Sequence, residues 1–157
     1  MTLRVFDSPQ DLIAARGEVI GPGPGLLVDQ ARIAAFADAT DDHQWIHLDA
    51  DRAAGGPFGG TIAHGFLTLS LLPALSHNLY EVKGVGMVVN YGLNRVRFPA
   101  PLRSGSTVRA TAQIASAEEF PGGWQVVAVI TVVPDGNEKP CCVAESVSHL
   151  YSAPAAT

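Results

Sequence analysis

The amino-acid sequence predicts an α+β fold in which an antiparallel β-sheet wraps around a long central helix. Three observations carry this expectation. The run from Gly65 to about Tyr80 sets Phe66, Leu67, Leu69, Leu71, Leu72, Leu75 and Leu79 on nearly every face of one helix, so burial all round is expected. The second half of the chain reads as strands separated by Gly and Pro turns. With 157 residues, 47% hydrophobic and 16% charged, the chain is long enough for a core and too apolar to be disordered. A chain of this size buries an apolar helix most easily by curling a sheet over it, and residues 1–157 are expected to form a single domain.

The elements follow in order. Ser8-Pro9-Gln10-Asp11 reads as an N-cap, a proline at the first helical position and an acidic first turn, predicting a short helix to about Arg16 that stops at Gly17. Gly21-Pro22-Gly23-Pro24-Gly25 can hold neither a helix nor a central strand and is expected to be a surface loop. Its prolines also spoil any likeness to a dinucleotide-binding glycine fingerprint. Leu26 to Val28 is a short strand. Asp29 then caps a helix whose apolar stripe is Ile33, Ala34, Phe36 and Ala37, fading at Thr40. Asp41 to His47 is polar and aperiodic. Asp49 caps a further helical turn through Ala54, and the glycine-rich segment from 55 to 60 is a flexible loop. After the apolar helix, strands are expected at Val85 to Tyr91 running or bending into Leu93 to Phe98, at Thr107 to Ala117, at Trp124 to Val133 and at Cys142 to Tyr151. Together they predict a meander of four or five antiparallel strands.

Composition excludes several functions. The formal net charge of −5 lacks the electrostatic footprint of a nucleic-acid binder. The apolar helix is too short to span a bilayer and contains Pro73, so no membrane partner is expected. The two cysteines, Cys141 and Cys142, are adjacent, which strains a disulfide and closes no useful loop. Free thiols and an N-terminus without an apolar signal segment lead to the expectation of a cytoplasmic protein. The low charged fraction further suggests that apolar surface is covered in a subunit interface.

The chemically dense stretch is Asp41 to His64, which holds Asp41, Asp42, His43, His47, Asp49, Asp51 and His64. His43 and His47 have the spacing of a helical zinc pair, but Gln44 stands where the zinc-protease motif needs Glu, and no metal is expected. Asp42 and His47 could polarise one water between them, or they could be a turn cap and a satisfied niche histidine. A glycine opening a buried helix, Gly65, could present its amide to an oxyanion, or could simply relieve a clash. A serine nucleophile elbow and a phosphate loop are both absent, and neither cysteine has a basic neighbour to activate it.

Two of these segments carry a family pattern. Phe36-Ala-Asp-Ala-Thr-Asp-Asp42-His43-Gln44-Trp45-Ile46-His47-Leu-Asp49 and Gly56-Pro-Phe-Gly-Gly-Thr-Ile-Ala-His64-Gly65-Phe-Leu67 resemble the active-site segments of MaoC-like (R)-specific enoyl-CoA hydratases. Val96-Arg97-Phe98-Pro99-Ala100-Pro101-Leu102, with Gly105 after it, is also similar to that family. The resemblance runs from about Asp29 to Tyr151. It implies a hot-dog fold, a homodimer, and reversible hydration of trans-2-enoyl-CoA to (R)-3-hydroxyacyl-CoA without metal or organic cofactor. It places the catalytic pair on Asp42 and His47, and the amide that holds the thioester oxygen on Gly65. Gln44-Trp45 replaces the commoner Asn-Pro and resembles the subgroup named after nodulation protein N. That departure bears on the acyl pocket, which Trp45 would help to shape, whereas Trp124 is expected in sheet packing. Lys83, Arg95, Arg97, Arg103 and Arg109 are either partners for coenzyme A phosphates or solvated charges. The competing readings are a hot-dog thioesterase, a non-catalytic acyl-binding subunit, and a partner-dependent dehydratase subunit acting on acyl carrier protein.

Overall fold

The computed structural model describes residues 3–153. Strand β1 (Arg4–Phe6) is followed by α1 (Asp11–Ala14), β2 (Val19–Ile20), β3 (Leu26–Val28), α2 (Gln30–Thr40), α3 (Trp45–Leu48) and α4 (Ala50–Ala54). Next come α5 (Gly65–Ser70), α6 (Leu72–Ser76), β4 (Tyr80–Val82), and the long strands β5 (Val85–Arg97), β6 (Ser106–Phe120), β7 (Gly123–Pro134) and β8 (Cys142–Ser152). The main sheet runs β2-β6-β7-β8-β5, with β3 also on β6, and its pairings are antiparallel. Only β6, β7 and β8 form a meander. β5 crosses to the far side of β8, which corrects the expectation of a simple consecutive order.

The core forms where the alternating inward residues of the sheet meet the helix. Val108, Ala110, Ala112 and Ile114 of β6 and Val126, Ala128, Ile130 and Val132 of β7 pack on Leu67, Leu71, Leu72, Leu75 and Leu79. Small alanines in the sheet let the bulky helix leucines come close, as close-packed interiors require. Trp124 belongs to this core, as expected.

The central helix differs from its sequence expectation in two ways. It is divided at Leu71 (φ −83, ψ −8) into α5 and α6 and ends at Ser76, so Tyr80 starts a strand. Pro73 has no N–H to give the preceding turn, which explains the break. Nor is the helix buried all round: Phe66 is 69% exposed, and Ser70, Ala74 and His77 continue its open stripe. Hydrophobic residue type alone does not report which face the sheet covers.

Smaller corrections follow local chemistry. The N-terminal helix is confined to α1, with Asp11 accepting from the Ser8 amide at 2.9 Å. The expected surface loop at 21–25 runs along β6, where the Gly23 amide donates to the Ala110 carbonyl. β1, β2 and β4 were not expected; β1 pairs with β4 in parallel as a separate two-stranded sheet. The aperiodic Asp41–His47 segment gains one helical turn, α3. The caps at Asp29 and Asp49 form as expected, accepting from the Arg32 and Arg52 amides. Among the described residues no helix is long and apolar enough to cross a membrane.

Candidate active site

Three stretches of chain converge on the site. Helix α2 ends at Asp41, a left-handed residue (φ 58) that turns the chain so that Asp42 follows at the mouth of the site. Helix α3 carries His47. The extended segment 61–64 passes beneath, tied on one side by the Ile62 amide to the Ile46 carbonyl (3.0 Å) and on the other by the Ala63 amide to the Leu102 carbonyl (2.7 Å). Gln30 locks two of these together: its Nε2 donates to the His47 carbonyl and its Oε1 accepts from the Thr61 hydroxyl, both at 2.7 Å.

His47 is buried. Its Nδ1 lies 2.7 Å from the Ile62 carbonyl. A carbonyl only accepts, so Nδ1 carries the hydrogen and Nε2 is left as a lone pair. Burial pushes the His47 imidazole below its usual value near 6.5, and neighbouring His64 lowers it further. The Ile62 hydrogen bond and Asp42 act in the opposite sense. A neutral ring with a free Nε2 is the form a general base needs.

Asp42 is half exposed, and its carboxylate makes only a long 3.4 Å contact with the Gln44 amide. One carboxylate oxygen of Asp42, one ring nitrogen of His47 and one of His64 lie within 4.8 Å of one another. Two hydrogen bonds of about 2.8 Å meeting at a tetrahedral water span about 4.5 Å, so this separation suits a shared water. It suits a metal ion less well. The His47 and His64 rings are stacked at 3.7 Å and 25°, which sets their nitrogen lone pairs side by side rather than converging. Each ring also has one nitrogen on a backbone carbonyl.

Gly65 is the first residue of α5, and the first turn closes when the Thr68 amide reaches the His64 carbonyl at 3.2 Å. The Gly65 amide therefore precedes the first intrahelical hydrogen bond. Phe98 lies over it: a Cβ at Gly65 would stand 2.9 Å from the ring. His47, Gly65, Thr68, Phe98 and Cys141 line one cavity of about 380 Å³. Asp42 is outside that lining and faces the site beside His47. A larger cavity of about 830 Å³ lies between the helix and β5, lined by Leu69, Pro73, Tyr80, Val88 and Leu93, and holds none of the three candidates.

Other expectations fare differently. Trp45 lines neither cavity; it packs under the Arg52 guanidinium (4.3 Å to the ring) and against Gly56, so it shapes the pocket only through the loop behind it. His43 turns outward to Asp38 at 3.0 Å, away from any zinc geometry with His47. Lys83 and Arg109 pair with Asp7 and Asp135, and Arg103 is held by the Phe58 carbonyl. Cys141 and Cys142 are free and buried. In sequence, Thr61, Ile62 and His64 stand within the motif without a role of their own, and Gln30 stands outside it. The signal for His64 was a histidine between apolar Ile62-Ala63 and a buried helix, whereas the roles of Gln30 and the Ile62 carbonyl depend on tertiary contacts.

Comparison with known proteins gives the family and the fold. The MaoC-like domain model matches residues 13–133. The chain is 53% identical over 146 residues to 3-hydroxyacyl-thioester dehydratase Z of Mycobacterium tuberculosis, covering 92% of this chain and 97% of the relative. It is 40% identical over 148 residues to nodulation protein N of Rhizobium leguminosarum bv. viciae, covering 92% and 91%. In fold, it superposes on a monoamine oxidase regulatory protein from Archaeoglobus with a TM-score of 0.75 at 24% identity, over 98% of this chain and 100% of that one. It superposes on an unliganded R-hydratase of Pseudomonas aeruginosa with a TM-score of 0.70 at 22% identity, over 88% and 83%. The sheet curled over a central helix is thus the hot-dog fold, and the chain belongs to the MaoC-like dehydratase family.

Proposed function

We propose that this hydratase/dehydratase adds water reversibly to trans-2-enoyl thioesters, giving (R)-3-hydroxyacyl thioesters. The observation that carries the reading is the juxtaposition of the Asp42 carboxylate with a His47 whose Nε2 is free, beside a cavity that also contains Gly65. The thioester class is supported by the dehydratase at 53% identity. Asp42 orients a water, and His47 Nε2 takes its proton as the oxygen attacks C3. Electron density moves onto the thioester oxygen, which the Gly65 amide receives. The proton on His47 then passes to C2 on the same face, so the net change is addition of one water in syn fashion. A single preorganised amide of this kind is worth about 3–4 kcal/mol in the transition state.

The acyl carrier is coenzyme A in this reading, with acyl carrier protein as the other donor to test. The protein acts as a homodimer. Among the described residues, β5 is paired on its β8 side alone and exposes Met87, Val88, Val89, Tyr91 and Leu93, a surface that an edge-to-edge copy would cover. Two unpaired buried thiols support a cytoplasmic location.

Hydration of crotonyl-CoA, followed as loss of enoyl absorbance with chiral analysis of the product, tests the chemistry. An R product is expected. An S product, or release of free thiol in place of hydration, refutes it. Light scattering tests the assembly: a dimer of identical chains is expected, and a monomer that dimerises only with a second, different chain would favour the partner-dependent subunit.

A further inference from the structure

We propose that His64 is a positioning residue for the Asp42–His47 pair: its Nε2–H fixes Asp42 through the backbone carbonyl, while its ring face sets the plane of His47. This rests on the hydratase reading above.

His64 is 3% exposed and stands immediately before α5. Its Nε2 lies 2.9 Å from the Asp42 carbonyl oxygen, so that nitrogen carries the hydrogen. The side chain of Asp42 is loosely held by comparison, with one 3.4 Å contact and 4.0 Å to His64 itself. The place of the carboxylate is therefore set by its backbone, and His64 is what grips that backbone across 22 residues of sequence. The same ring stacks on His47 at 3.7 Å and packs against Phe36 at 5.1 Å. One side chain thus spans both members of the pair.

His64 Nδ1 is buried and has no hydrogen-bond partner. A phenyl ring would fill the same stacked space without stranding an acceptor. What the imidazole adds over any apolar ring is the Nε2–H at the Asp42 carbonyl, joined to a flat face for His47.

Three variants separate positioning from space-filling. His64→Gln keeps an N–H near the Nε2 position, His64→Asn has a donor that falls short, and His64→Phe keeps the flat ring without a donor. In crotonyl-CoA hydration, Asn and Phe should lower kcat about a hundredfold, and Gln at most about tenfold, with KM within about threefold throughout. A space-filling role predicts the reverse order, with Phe near wild type and Gln impaired together with its thermal midpoint. Phe at wild-type kcat, or Gln no better than Asn, overturns the proposal, and the Gln–Asn comparison decides if Phe does not fold. Nitrogen NMR of the wild-type rings keeps this apart from the activity itself. Absence of turnover on every enoyl thioester refutes the hydratase reading, whereas a His64 protonated on Nδ1 in place of Nε2 refutes the positioning role.

Discussion

Gly65→Ala makes a sharp test of the site because the two consequences of one methyl group diverge. A Cβ at this position stands 2.9 to 3.0 Å from three atoms of the Phe98 ring, against 3.4 Å or more for ordinary contact. The ring must retreat by at least about 0.5 Å. Phe98 is 40% exposed and free to swing outward, and the backbone of Gly65 is not in the left-handed region. Alanine also favours a helix over glycine by roughly 1 kcal/mol, which offsets the disturbed contact. Stability should change by less than about 1 kcal/mol, or about 2–4 °C in the thermal midpoint. Activity should respond far more. The methyl and the displaced ring crowd the amide that receives the thioester oxygen, and losing one such donor lowers kcat by about 10²–10³-fold. The assay pairs a thermal melt with crotonyl-CoA turnover. A folded Gly65→Ala within fivefold of wild-type kcat would refute close approach of the substrate to this amide. Adding Phe98→Ala distinguishes the two parts of the effect: recovery assigns the loss to the displaced ring, and no recovery assigns it to the methyl itself.

Asp42→Asn and His47→Gln should each lower kcat by about a hundredfold or more with an unchanged circular dichroism spectrum; near-normal turnover in both would remove the mechanism. Because burial lowers the His47 value, kcat/KM should rise with pH through a point below 6.5 and be level by neutrality, and an acid limb above 6.5 would contradict this. The same shift has a signed effect on stability. The unfolded chain binds the extra proton first, so the contribution of His47 is complete above about 6.5 and is lost as pH falls through the folded value. Denaturant titration should show this in a His43→Gln background, since the Asp38-paired His43 is shifted upward and acts in the opposite direction. Burial pushes the Cys141 thiol up to about 12 and the Cys142 thiol to about 11, so both should resist iodoacetamide at pH 7.5 until the chain is unfolded.

Where local physics decides, the sequence was readable. Asp29 and Asp49 announced helix starts, the alternation of Thr107 to Ala117 showed the buried face of β6, and the β-branched run of β7 marked a strand in the middle of the sheet. The strands β1, β2 and β4 are two or three residues long and form only through tertiary pairing, β2 on the edge of β6 and β1 with β4, so no periodicity could reveal them. α3 is similar: one turn, held by the Gln30 bond to the His47 carbonyl. The open face of α5–α6 was hidden because Phe66 and Leu67 look alike in sequence, yet one is exposed and the other buried. At the site, residue types and spacing drew attention to Asp42 and His47. The hydrogen bonds that fix the free nitrogen of His47 and the carbonyl of Asp42 come from residues 15 and 22 positions away.

The pairing of β1 with β4 bears on the order in which the molecule is assembled. It is reinforced by a Lys83–Asp7 ion pair between residues 76 apart in sequence, and its parallel register needs the intervening chain already in place. Closing a loop of that length from a flexible chain costs about 4 kcal/mol of entropy, more than a three-residue, largely exposed strand returns by itself. β1 is therefore expected to dock late, onto β4 and the Leu79 carbonyl, and to exchange its amide hydrogens early. Leu3, just before it, forms part of the wall of the 830 Å³ cavity, so loss of β1 would open that chamber, whose lining holds none of Asp42, His47 and His64.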